Sequence, residues 1–183
     1  MNIENRPSAH EHSHAEFLKK LTKDFDALIA RHFSNTHDIS EVAKTITTLF
    51  PHYQFVLERK MSPEYIEKEK SISCSAATYI LGSCWESIAK GNVSYYYVEP
   101  GDPRNTHTFV ALFPQQFDFS TLHEQYRLYS NGKKNSLIFY EFSRPEHKSQ
   151  IAPVIPTPYY LLASYCFTKK EEYLRNRSIL FTR

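Results

Sequence analysis

Residues 73–91 read Ser-Cys-Ser-Ala-Ala-Thr-Tyr-Ile-Leu-Gly-Ser-Cys-Trp-Glu-Ser-Ile-Ala-Lys-Gly, and this stretch decides the fold. Ala77, Ile80, Leu81, Cys84, Trp85 and Ile88 recur at helical spacing, and Glu86 and Lys90 are its only charges. A period near 3.6 with so little charge predicts a buried helix over about 73–90. Gly91 is a natural stop, since glycine takes the left-handed conformation that ends helices. Cys74 stands at the start of the helix, just ahead of the stripe. Two strands are predicted next, over 93–99 and 107–113. Pro100-Gly101-Asp102-Pro103 is the turn between them, and Pro114 ends the second. The two form an antiparallel hairpin with a wide loop.

Upstream of the buried helix, residues 1–14 are polar and read as a flexible tail. Phe17, Leu18, Leu21, Phe25, Leu28 and Ile29 then mark an amphipathic helix, with Ser13 and Glu16 as a capping box. Asp38 and Glu41 open a second helix whose stripe is Ile39, Val42, Ala43, Ile46, Leu49 and Phe50, and Pro51 stops it. Residues 53–57 read as a short strand, and Ser62-Pro63-Glu64 opens a short charged helix. Downstream, Thr121 to Glu124 caps a short helix, Asn131-Gly132 is a turn, and 137–142 is a strand. A proline-rich stretch (Pro145, Pro153, Pro156, Pro158) leads to a helix from Lys169 and a last strand over 178–182. No break in composition divides the chain. The expectation is a single α+β domain over 15–183, with N-terminal helices packed on a small antiparallel sheet.

Composition excludes several classes. The chain has 183 residues, enough for one domain with its own core. Only 4 are Gly, scattered singly, and neither dinucleotide-binding nor P-loop glycine patterns occur. No cofactor is expected. Aromatics make up 15%, which argues against disorder. The net charge of +2 demands no polyanionic partner, so nucleic acid is not expected. Lys169, Lys170, Arg175, Arg177 and Arg183 interleave with Tyr173 and Phe181, but Glu171 and Glu172 interrupt them, which reads as a solvated helix face. His10, His12 and His14 would point one way in an extended chain, but no fourth ligand lies nearby and no metal is expected. The 3 cysteines form no C-x-x-C pair, which argues against disulfides and structural zinc. With no signal-like or membrane-length apolar run, the expected compartment is the reducing cytoplasm, or export without such a signal.

Three residues carry the chemistry. A thiol at a helix N-terminus feels the positive end of the macrodipole, which favours the reactive thiolate at Cys74. His107 starts a predicted strand, and Asp118 follows that strand's end. A thiol, a base and a carboxylate that orients the base are what nucleophilic catalysis needs. In this order and context they resemble the transglutaminase-like core of the papain-like cysteine-enzyme superfamily. Cys74-Ser75-Ala76-Ala77-Thr78-Tyr79-Ile80-Leu81 resembles the family's Cys-led helix, His107-Thr108-Phe109-Val110-Ala111-Leu112 its His strand, and Phe117-Asp118-Phe119-Ser120 its aspartate segment. The likeness covers about residues 71–120. Ser73, Thr108 and Phe117 stand where the family often has Gly, Trp and Trp. The resemblance implies acyl transfer through a thioester: cleavage of a peptide or isopeptide bond, glutamine deamidation or transamidation. It also implies an oxyanion site of backbone N–H groups near Cys74, since no Gln sits a few residues upstream.

The partner implied is a protein or peptide, with Trp85, Tyr96 and Tyr97 as candidates for lining its groove. A half-buried β surface accounts for the tyrosines equally well. Cys84 and Cys166 read as small core hydrophobes. The alternative is a non-catalytic module that binds a protein or peptide through its aromatic surface.

Overall fold

The structure is a computed structural model that describes residues 9–54, 62–88, 92–98, 107–113, 138–143, 150–154, 165–167 and 169–179. Helix α1 spans Ala9–Phe33. It starts inside the stretch expected to be a tail, because the His/Glu run from 10 to 14 contains no helix breaker. Ser13 is therefore an interior residue of α1 and not its cap. Leu21, Phe25 and Leu28 are buried, at the helical spacing read from the sequence, and Phe33 is buried at the helix end, while Phe17 stays 42% exposed at the edge of the stripe.

Helix α2 spans Ile39–Leu49. The backbone N–H groups of Ser40 and Glu41 donate to Asp38 Oδ1 at 2.8 and 2.9 Å, satisfying donors that the helix leaves open. The Ser40 hydroxyl, also donating to this oxygen, and the Glu41 N–H hold the Asp38 carboxyl below its ordinary range. Strand β1 is His52–Tyr53, which shares Tyr53 with the strand expected over 53–57; 55–61 lie outside the described residues. Helix α3, Pro63–Glu69, starts on Ser62 and Pro63 as its sequence suggests. Lys70 ends it with φ of 53°, a left-handed conformation that glycine takes more easily. The chain passes at once into β2 (Ser71–Ile72), which pairs in parallel with β1.

Helix α4 spans Cys74–Ile88 and is buried from Cys74 through Trp85. The sequence predicts one apolar stripe, yet the small residues Ser75, Ala76, Gly82 and Ser83 are covered too. Neighbours surround the helix: α1, α2, the strands Asn92–Val98 and His107–Phe113, and the helix Lys170–Ile179 all pack against it. Its ring contacts include Tyr79 against Phe25 of α1, with centroids 4.7 Å apart.

Five strands form an antiparallel sheet in the order β6-β5-β4-β3-β7. They are β3 (Asn92–Val98), β4 (His107–Phe113), β5 (Ile138–Ser143), β6 (Gln150–Val154) and β7 (Tyr165–Phe167). The hairpin register pairs Val98 with His107 and Asn92 with Phe113. Strand β6 arises in the proline-rich stretch, where no strand is expected. Pro153 is tolerated because β6 is an edge strand, with ladder bonds on one side only. Helix α5 spans Lys170–Ile179 and takes in Ser178 and Ile179, the start of the expected last strand. The expected helix at 121–124 and turn at 131–132 lie outside the described residues.

The described core is helical in the main. Leu21, Phe25 and Leu28 of α1, Val42 and Ile46 of α2, Ile66 of α3, Tyr79 and Ile80 of α4, and Tyr173 and Leu174 of α5 form one cluster. Fully burying each such side chain stabilises by about 1.5–3 kcal/mol before entropy is charged against it.

Candidate functional site

Cys74 is the first residue of α4 and is 8% exposed. Ser73 caps the helix: its Oγ accepts from Ala76 N–H at 3.2 Å and its carbonyl accepts from Ala77 N–H at 2.9 Å. One turn on, on the same side as Cys74, the hydroxyls of Thr78 and Thr108 are 3.2 Å apart and hydrogen-bonded, both buried. A third tie comes from α5, where Tyr173 Oη donates to the Ser75 carbonyl at 3.0 Å. The turn bearing the thiol is thus fixed by its own cap, by β4 and by α5.

The Thr78–Thr108 bond matters most for the arrangement. Thr108 follows His107, the first residue of β4, and Thr78 lies four residues from Cys74, about 6 Å of rise along the helix. The bond therefore ties the beginning of α4 to the beginning of β4. The His107 side chain and all of Asp118 lie outside the described residues. So do the side chains of Tyr96, whose backbone pairs with Phe109 and Cys166, and of Tyr97, whose backbone pairs with Thr108 and Tyr165. Trp85 is described: at 3% exposed it belongs to the buried core cluster.

The other cysteine of α4 shows what burial does without a helix end. Cys84 lies in the helix interior and is 4% exposed. Burial pushes its thiol up to about 12, with Lys170 opposing only weakly. A cavity of about 260 Å³ lies beside it, lined by Ile29, Phe33, Ser87 and Ile88 among others. This cavity belongs to the far end of α4 from Cys74. Tyr79 and Ser83 are also buried on α4. Neither hydroxyl makes a hydrogen bond among the described residues, and their mutual contact falls short of bonding geometry. Burial first, and then Asp26 and Glu171, push the Tyr79 phenol well above its ordinary range.

Positions 10, 12 and 14 all fall within α1 and not in an extended tail. Among the described residues no three His, Cys, Asp or Glu side chains gather as a metal site would require. No described helix is long and apolar enough to cross a membrane.

Sequence reading missed Thr78, Thr108 and Tyr173. Thr78 carried a faint signal, a hydroxyl one turn from Cys74 in an otherwise apolar run. Tyr173 carried none, because its partner lies 98 positions away. Comparison with protein-family models, curated proteins and solved structures returned no match.

Proposed function

We propose that the chain is a thiol enzyme with a papain-like or transglutaminase-like core, acting on an amide of a protein or peptide. In this reading Cys74 sulfur attacks the amide carbonyl after His107 takes its proton. His107 then protonates the leaving nitrogen, the C–N bond breaks and a thioester remains. Water resolves the thioester to an acid, or an amine resolves it to a new amide. Asp118 holds the His107 ring in the tautomer this requires. First-turn N–H groups of α4 are the candidate donors to the oxyanion.

One observation carries this reading: the Thr78–Thr108 bond ties α4, one turn beyond Cys74, to the strand end bearing His107. The same bond sets a condition. Neighbouring positions of a strand alternate between its faces, and Thr108 holds the place against α4. A Cys74–His107 pair requires the chain to break that alternation at the first residue of β4. The second reading, a non-catalytic protein- or peptide-binding module, is favoured by the ladder register, which runs without a skipped residue through His107, and by the 8% exposure of Cys74.

Iodoacetamide alkylation against pH, read at each cysteine by mass spectrometry, separates the two. The enzyme reading expects Cys74 to react at neutral pH with a midpoint below ~7, and His107→Ala to remove that advantage. Cys74 alkylating no faster than a free thiol of pKa ~8.5 sinks the catalytic reading.

A further inference from the structure

The first turn of α4 is gripped through a single peptide group. Its N–H, on Ala76, donates to Ser73 Oγ, and its carbonyl, on Ser75, accepts from Tyr173 Oη. Ser73, Ser75, Ala76 and Tyr173 are all buried. The Ser73 half is ordinary capping that any helix can supply locally. The Tyr173 half comes from another helix. The Tyr173 ring is fully buried and meets Phe167 edge-on at 6.1 Å, so the hydroxyl is delivered from a rigid base. The Ser75 carbonyl stands at a position where an α-helix already supplies it a donor four residues on. Tyr173 therefore adds a second donor to an acceptor that the helix itself provides for.

Hydrogen bonds on the two ends of one peptide polarise each other. A donor on the Ser75 carbonyl increases the positive character of the Ala76 N–H, one of the groups that make a helix N-terminus favour an anion. The anion in question is the Cys74 thiolate, two residues back on the same turn. We infer that Tyr173 is a positioning residue for Cys74, acting through the Ser75 carbonyl to set the geometry and polarity of the turn that bears the thiol. This deepens the proposed thiol chemistry and rests on it. Helix α5 thereby controls the reactivity of a residue it does not precede in the chain and does not have to touch.

Tyr173→Phe tests this with the ring kept in place. Alkylation of Cys74 against pH is measured on the full chain, with hydrogen exchange at Ala76 and Ala77 and the thermal midpoint recorded alongside. The expected result is a Cys74 midpoint raised by at least half a pH unit, a rate at neutral pH about threefold to tenfold lower, and faster exchange at Ala76 and Ala77 but not near Cys84. Phe167→Leu, which loosens the packing on the ring and keeps the hydroxyl, is expected to lower the thermal midpoint without moving the Cys74 pH profile. A Tyr173→Phe profile and exchange pattern identical to the parent overturns the inference. So does a Phe167→Leu variant that reproduces the Tyr173→Phe profile, since packing alone would then account for it. If Cys74 in the parent behaves as an ordinary thiol while Tyr173→Phe still speeds exchange at Ala76 and Ala77, the nucleophile reading fails and the positioning of the turn stands.

Discussion

Helix α4 carries two cysteines in opposite circumstances. Cys84 sits mid-helix among Ile29, Phe33 and Ile88, where burial raises its thiol to about 12. Cys74 sits at the helix start, where a cap, a strand and a second helix converge on one turn. Both are nearly buried, so exposure does not distinguish them. What differs is the position on the helix: the interior for one, the first turn with its oriented backbone dipoles for the other. A buried thiol is inert or poised according to which of these positions it holds.

The comparison breaks most visibly at the far half of the helix. Trp85→Ala removes the largest side chain there and is expected to cost ~3–5 kcal/mol, read by urea denaturation. A cost under ~1 kcal/mol would mean that this half of α4 is not the packed one. At the near half, Thr78→Val keeps the volume but leaves the Thr108 hydroxyl buried without this partner. It is expected to cost ~1–3 kcal/mol in the same assay. If it costs nothing, the tie between α4 and β4 is not energetically formed. Ser73→Ala is expected to cost ~1 kcal/mol as a lost cap, and hydrogen exchange should localise the effect to Ala76 and Ala77.

The smallest effect lies away from both cysteines and serves as the baseline. Arg31 donates to both Glu67 oxygens at 2.7 and 2.9 Å, and His32 Nε2 lies 2.8 Å from Oε1, joining α1 to α3. Burial works to raise the Glu67 carboxyl, but the bonds from His32 and Arg31 outweigh it and hold the carboxyl below its ordinary 4.5. A depressed folded-state value means that the unfolded chain takes up the proton first as pH falls. The stabilisation is therefore complete above about pH 5 and is lost as pH drops through and below 4.5. The group is partly exposed and solvent screens it, so Glu67→Gln is expected to cost only ~0.5 kcal/mol at pH 7. Thermal midpoints measured from pH 7 to 3 should bring variant and parent together at the acid end. A gap that persists at pH 3 would assign the effect to packing.

Legibility followed range in the chain. The helices from Phe17 onward, from Asp38 and from Ser62 announce themselves through period and caps, because each signal lies within a turn or two of what it controls. Cys74 at a helix start was legible for the same reason. The strand at Gln150–Val154 was not, since the sign of an edge strand is what pairs beside it and Pro153 points the other way. The burial of Trp85 was not legible, because an aromatic on an apolar helix looks alike in sequence whether it is covered or open. Tyr173 was silent for the plainest reason: nothing near residue 173 names residue 75.

That span has a consequence in time. The bond from Tyr173 to Ser75 closes 98 positions of chain, and Lys170 reaches Asp26 across 144. Contacts of such separation form late, after local helices have already condensed. During synthesis from the N-terminus, α1 to α4 emerge well before α5 exists. The turn around Cys74 then receives its last tie only when most of the chain has been made. The bond from Tyr173 to the turn that bears Cys74 therefore belongs to the closing of the fold and is absent while the nascent chain is shorter than α5.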